Sequence, residues 1–267
     1  MSDKITNTQD RPEEKPHQLA KGGTRNALST QRNHDCSAQP AAVCGCRRLA
    51  RARVAVFGLG GVGGHAAEAL ARGGVGHLEL FDKDVVDATN LNRQLAATVA
   101  DIGRPKAQVM AARCRAVAPG VEAVPRELFY LPDTAAEAPL DGFDYIVDAV
   151  DTVAAKLELV CRAKAAGVPI VCAMGCGNRL DATAFQVTDL FATEGDPLAR
   201  VLRKELRRRG VTSLKVVCST APVCPPRSDV PGEEKAPGRR APGSVSWVPG
   251  VAGMILAGEV IKDLAGI

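Results

Sequence analysis

Between residues 54 and 82 the order strand, glycine-rich turn, helix, strand restricts this chain to few folds. Val54-Ala55-Val56-Phe57 is a short apolar run of β character, and Gly58-Leu59-Gly60-Gly61-Val62-Gly63-Gly64 follows it directly. From His65 to Arg72, Ala66, Ala69 and Leu70 recur at helical spacing, and Leu78-Glu79-Leu80-Phe81 is a second strand ending at Asp82. Two strands joined through a helix pair in parallel, and a parallel sheet needs helices over both faces. With 46% hydrophobic but 3% aromatic residues, the core must be built from Val, Leu and Ala.

The alternation continues. Arg104-Pro105-Lys106 opens a helix running to about Ala118, stopped by Pro119-Gly120, and Val121 to Val124 is a strand. Phe143 to Val150 is another strand, Thr152 to Ala166 a helix ended by Gly167, and Val168 to Ala173 a further buried strand. Thr183 to Val187 reads as a strand, Asp196-Pro197 starts a helix over Leu198 to Arg209, and Leu214 to Cys218 is a strand. Pro222 to Gly243, rich in Pro, Gly and charge, reads as a mobile crossover loop. Val248 to Leu264 is an apolar final helix in which Gly253 and Gly258 suggest close packing; an interfacial membrane helix is disfavoured because no basic face accompanies it. The expected class is α/β: a Rossmann-like, mostly parallel sheet with helices on both faces and a C-terminal strand and helix extension. Residues 54–173 form the nucleotide-binding half and 174–267 the substrate and crossover half.

Residues 1–53 read as a divergent, disordered segment. They carry a net charge of +5, so the net +4 of the whole chain leaves the body at −1 and does not by itself point to nucleic acid. Met1 to Lys21 is polar, without the apolar stretch of a secretory signal, so the nine cysteines are expected as reduced thiols in the cytoplasm. Cys44-Gly45-Cys46 lacks a second ligand pair and reads as incidental rather than as a metal site.

The candidate chemistry gathers at the strand ends. Gly58, Gly60, Gly61 and Gly63 let backbone N–H groups and a helix N-terminus approach a phosphate, and Asp82 is placed to accept from ribose hydroxyls. Thr89-Asn90-Leu91-Asn92-Arg93-Gln94 and Gly103-Arg104-Pro105-Lys106 then bring two cations, Arg93 and Lys106, to the same pocket, with Asp84, Asn92 and Gln94 completing the candidate nucleotide set. Asp148 and Asp151 add carboxylates after another parallel strand. Cations together with a carboxylate suit a triphosphate with Mg²⁺, which uses one or two carboxylates plus phosphate oxygens. The surviving chemistry is ATP-dependent, and no group here supplies a hydride-transfer site.

In this order and spacing GLGGVGG, DKDVVDATNLNRQ, GRPKAQVM and DAVD resemble the ThiF-type adenylating enzymes related to ubiquitin-activating enzymes. The resemblance implies that the Gly turn and Asp82 hold the nucleoside, that Arg93 and Lys106 hold phosphates, and that Asp151 supports Mg²⁺. A monovalent cation is a further candidate cofactor. From Phe185-Gln186-Val187-Thr188-Asp189-Leu190 onward the chain resembles the dehydratase branch of that superfamily, which acts on threonylcarbamoyladenosine in tRNA. That implies adenylation of a threonine carboxylate, ring closure by the neighbouring carbamoyl oxygen and release of AMP. The expected partners are that tRNA and a second copy of the chain, with a sulfur-transfer protein as a further candidate and no membrane. Arg200, Arg203, Lys204, Arg207, Arg208 and Arg209 form a basic helix suited to tRNA phosphates.

Ring closure within one molecule needs little from a protein nucleophile, so Cys172, Cys176 and Cys218 read as buried strand cysteines. Two departures stand out. Thr30 to Arg53 does not resemble the helix that in this superfamily brings an Arg to the partner's nucleotide, and it reads as wrong-frame or divergent sequence. Ala221 stands where the dehydratases tend to have an acidic residue. The alternatives are an adenylyltransferase for a sulfur-carrier or ubiquitin-like protein, although the paired CxxC motifs many of those carry are lacking, and an ATP-binding scaffold or pseudoenzyme.

Overall fold

The computed structural model describes residues 40–224, 234–236, 239–240 and 242–267. Within them the chain runs α1 (Pro40–Leu49), β1 (Arg53–Phe57), α2 (Gly63–Arg72), β2 (His77–Phe81), α3 (Lys106–Val117), β3 (Glu122–Arg126), β4 (Tyr145–Asp148), α4 (Val153–Ala166), β5 (Ile170–Ala173), β6 (Phe185–Asp189), α5 (Pro197–Arg208), β7 (Lys215–Ser219), β8 (Glu234–Ala236), β9 (Arg239–Arg240) and α6 (Trp247–Ala265).

Seven strands form one sheet in the order β3-β2-β1-β4-β5-β7-β6. All neighbours are parallel except β6, which returns antiparallel along β7 at the edge. The chain winds outward from β1 on one side and from β4 on the other. The β1/β4 junction is therefore the switch point, where open α/β sheets bind ligands beyond the carboxyl ends of their strands. Both faces are covered, as the near-continuous apolar strands require. Val54 and Val56 face a cluster with α2, α3 and α6, whereas Ala55 and Phe57 face one with α4, α5 and the segment around Tyr130. The core is mostly aliphatic; its stacked aromatic group is Phe57 on Phe81 at 4.3 Å with Tyr130 edge-on to Phe57 at 5.0 Å, and Tyr145 is buried in the opposite cluster.

Three expectations need correction. Ordered structure begins before Val54: α1 packs on α6 so closely that a Cβ on Gly45 would lie 3.2 Å from the Ala265 Cβ. Gly76 N and His77 N then donate to the Leu49 and Ala52 carbonyls at 2.9 and 3.1 Å. A glycine in the middle of PAAVCGCRRL argues against a helix on propensity, but here it serves the contact, and tertiary packing overrides propensity. The expected disorder of residues 1–39 lies outside the described residues. The crossover region is also not all loop, since β8 and β9 pair antiparallel within it. Finally, the two glycines of α6 are not equivalent: a Cβ on Gly253 would collide with the Val62 carbonyl, whereas one on Gly258 would meet nothing within 4 Å. The apolar face of α6 is consumed in the core by Val248, Ala252, Leu256 and Val260, and no described helix is long and apolar enough to cross a membrane.

This difference gives a paired expectation for urea denaturation. Gly253→Ala should destabilise the fold by about 1–3 kcal/mol through overpacking of α6 on α2. Gly258→Ala should stabilise it by roughly 0.5–1 kcal/mol, because only helix propensity changes there.

Candidate active site

The glycine turn leaves β1 at Gly58, whose φ of +83° is a left-handed value that glycine adopts without cost. A Cβ there would stand 2.7 Å from the Ala149 carbonyl oxygen, and one on Gly63 would collide with the Gly58 carbonyl. These two positions are glycine because backbone meets backbone. Asp82, at the end of β2, binds the turn: its Oδ2 accepts from Leu59 N at 2.6 Å and its Oδ1 from Asp84 N at 2.8 Å. Burial raises the Asp82 pKa, while those two N–H groups and Lys106 act to lower it. A carboxylate has about four acceptor sites, so two remain for hydroxyl groups of a ligand.

The segment after β2 runs beside the start of α3. Val86 N donates to the Arg104 carbonyl at 2.8 Å, Gly103 N to that of Val86 at 2.8 Å and Lys106 N to that of Asp84 at 2.9 Å. This pairing sets Lys106 in the first turn of α3, only 6% exposed, with Nζ 3.4 Å from Asp84 Oδ2. A buried cation at a helix N-terminus opposes the helix dipole, and α3 has no acidic residue in its first turn. Such a placement is costly for stability alone and favourable beside a polyanion. Arg93 is folded onto its own loop, Nη1 donating to the Thr89 carbonyl and to Asn92 Oδ1, both at 2.8 Å. Asn92 Nδ2 in turn donates to the Ser244 carbonyl at 3.0 Å, joining this loop to the segment before α6. Gln94 is buried with its Nε2 near Gly60, and its Oε1 has no hydrogen-bond partner among the described residues.

The two carboxylates after β4 part company. Asp148 is fully buried, its Oδ2 3.0 Å from Lys156 Nζ, while its Oδ1 accepts from Val150 N at 3.1 Å. Its expected place among direct nucleotide contacts is therefore corrected: desolvation is tolerated here because Lys156 neutralises the charge, and both oxygens face inward. Asp151 is exposed at the mouth of the switch point, with Thr152 Oγ1 3.4 Å from its Oδ1.

On α5, Arg200 and Lys204 are exposed, and Arg207 lies over the Phe191 ring at 5.2 Å. Arg208 and Arg209 pair with Glu205 at 3.0 and 2.9 Å, and half-buried Arg203 donates to the Thr193 carbonyl at 2.6 Å. The helix is thus less cationic than its composition suggests. Its start is fixed: Asp196 accepts from Ala199 N at 2.8 Å and from Arg179 at 3.0 Å. Arg179 also donates to the carbonyls of Gly175 and Ala221, so the position where an acid was expected contributes its backbone. Burial pushes the thiol of Cys176 up to about 12 and that of Cys218 up to about 11, and raises Cys172 well above the usual range. None is an activated nucleophile.

A mostly parallel sheet with a glycine turn, a strand-end Asp and a buried Lys near its switch point defines a nucleotide-binding α/β protein of the Rossmann type. Residues 33–267 match the ThiF family, and the chain belongs to it. The match includes the stretch after residue 33 that reads as divergent from sequence alone. The tRNA threonylcarbamoyladenosine dehydratase of Bacillus subtilis is 40% identical over 227 residues, covering 82% of this chain and 89% of that protein. Among solved structures, Escherichia coli tRNA N6-threonylcarbamoyladenosine dehydratase in complex with AMP superposes with a TM-score of 0.76 at 34% identity, covering 83% of this chain and 89% of that one. The same enzyme in complex with ATP gives 0.73 at 33% identity with the same coverage.

Lys156 escapes a motif search, but its spacing carries a signal. It shares a stripe with Leu159, Val160 and Ala163, all fully buried, and a Lys on such a stripe needs a buried partner. Besides Asp148 it donates to the Ala173 carbonyl at 2.8 Å, tying the ends of β4 and β5 together. Lys156→Met alone should therefore cost about 3–5 kcal/mol in chemical denaturation by stranding the Asp148 charge. Lys156→Met combined with Asp148→Asn should recover a large part of that loss, and strict additivity of the two changes would refute the pairing.

Proposed function

We propose that this chain is an ATP-dependent dehydratase that cyclises threonylcarbamoyladenosine in tRNA. The observation that carries the adenylating chemistry is Lys106, held buried against a helix N-terminus beside Asp84, Asp82 and the glycine turn. The choice of substrate rests on likeness to relatives that are named for this reaction over most of their length. Gln94 Oε1, without a hydrogen-bond partner among the described residues, fits an occupied nucleotide pocket, because a buried acceptor without a partner is costly.

In this reading Asp82 takes the ribose, and the glycine turn and α2 N-terminus receive phosphate oxygens. Lys106 and Arg93 offset charge on the phosphates, Arg93 after leaving its present bonds to its own loop. The threonine carboxylate attacks the α-phosphorus and pyrophosphate leaves. The carbamoyl oxygen then attacks the activated carbonyl carbon, the ring closes with loss of the carbamoyl N–H proton, and AMP departs with the former carboxylate oxygen. Both reacting groups belong to one substrate, so the protein contributes orientation and charge rather than a nucleophile.

Mg²⁺ fits the donor set in a limited way. Among the described residues no group of three or more His, Cys, Asp or Glu converges into a cage. Asp151 at the switch point offers one carboxylate, and phosphate oxygens would complete the shell. When bound there, Mg²⁺ would neutralise phosphate charge. A homodimer is part of the proposal, and a sulfur-transfer protein remains a candidate partner.

Incubation with ATP, Mg²⁺ and tRNA carrying threonylcarbamoyladenosine should release AMP and remove one water from the nucleoside by mass spectrometry. AMP release only with a small protein ending in Gly-Gly would replace this reading by the carrier-adenylating one. Asp151→Ala should lower kcat on the order of 100-fold or more, and Cys218→Ser should leave it nearly unchanged.

The tRNA face makes a separate expectation. Arg200→Glu with Lys204→Glu should raise the KM for tRNA and flatten its dependence on salt, leaving the KM for ATP in place. An unchanged salt slope would remove α5 from the interface.

A further inference from the structure

The first turn of α2 holds one carbonyl by a side chain. On either side the backbone follows the helical pattern, Gly64 N donating to the Gly60 carbonyl and Ala66 N to the Val62 carbonyl, both at 3.1 Å. At Gly61, between them, His65 Nδ1 lies 2.8 Å from the carbonyl oxygen. A carbonyl only accepts, so this bond requires the proton on Nδ1.

The ring is confined from behind by α6. A Cβ on Gly250 would lie 3.1 Å from His65 Nε2, and one on Gly253 would lie 2.9 Å from the His65 Cβ. Gly61 itself meets the same helix, since its Cβ would stand 3.1 Å from that of Pro249. Within a trans peptide the carbonyl and the following N–H point in opposite directions. Drawing the Gly61 carbonyl towards His65 therefore turns the Val62 N–H the other way, out of the turn.

We infer that His65 is a positioning residue for nucleotide binding: by holding the Gly61 carbonyl it aims the Val62 N–H at the phosphates of ATP. An N–H fixed in advance at a helix N-terminus binds an anion without reorganising. His65 lies outside the glycine motif, so the motif alone gives no reason to single it out. The inference rests on the nucleotide-binding reading of the turn, and its test reads ATP affinity directly, without the tRNA substrate.

The experiment compares three full-length variants by calorimetric titration with ATP, by ATP and tRNA steady-state kinetics, and by thermal melting. His65→Phe keeps a ring but removes the donor. His65→Asn keeps an amide nitrogen the same number of bonds from Cα as Nδ1. His65→Leu has nearly the shape of Asn without the donor, and gives the same comparison should the Phe ring not fit.

His65→Phe and His65→Leu should weaken ATP binding roughly 3- to 10-fold, the worth of one hydrogen bond, with the KM for tRNA unchanged. His65→Asn should restore affinity to within about twofold, because it restores that hydrogen bond. Unchanged ATP affinity in the donorless variants would overturn the inference. So would equal losses in Asn and Leu, which would trace the effect to ring volume. If the unaltered chain binds no ATP at all, the nucleotide reading itself fails; if it binds ATP regardless of residue 65, only the role of His65 fails.

Discussion

The site depends on one constraint, the close approach of three backbones at the start of α2. From one side the loop after β4 presses on Gly58, where a Cβ would meet the Ala149 carbonyl at 2.7 Å. Within the turn, Gly63 sits against the Gly58 carbonyl, and from the other side Gly253 of α6 sits against the Val62 carbonyl. Packing at this density leaves no slack for the turn to relax. Two of its carbonyls are engaged, that of Gly61 by His65 and that of Gly60 by Gly64 N. The C-terminal helix therefore fixes the shape of the glycine turn by packing, although it brings no charged group to it.

Charge is arranged in the same layered way. Beneath the switch point Asp148 and Lys156 neutralise one another in the core and join the ends of β4 and β5. Three residues further on, Asp151 stands at the surface. At the start of α3, Lys106 is buried and set against the positive end of that helix. A cation held in this way favours a polyanion with little rearrangement when it arrives.

How much of this could be read from the sequence follows from the range of each interaction. Strands with apolar runs and glycine or proline stops are local signals, so β1, β2, β4, β5 and β7 are legible to within about two residues, as boundary reading allows. The glycine turn and Asp82 are legible because a phosphate turn constrains nearby residues. What escapes is set by distant partners. Gly45 looks like a helix breaker until Ala265 is beside it, and Gly258 looks like Gly253 until the space around each is known. Asp148 and Asp151 carry the same side chain three residues apart, and only the buried Lys156 tells them apart. His65 resembles any polar residue on an exposed helix turn until α6 closes over it.

The basic helix is positioned by a buried ion pair. Net charge is uninformative, since the positive excess lies in residues 1–53 and the remaining body is slightly acidic. What gives α5 a defined relation to the cleft is its first turn. Asp196 caps the helix and is gripped by Arg179, whose other donors hold Gly175 after β5 and Ala221 after β7. Both loops leave the carboxyl ends of strands on the same edge as the glycine turn. One guanidinium thus references the cationic helix to the strand ends that build the cleft. The place of α5 relative to those strand ends is thereby set by the core rather than by a flexible arm.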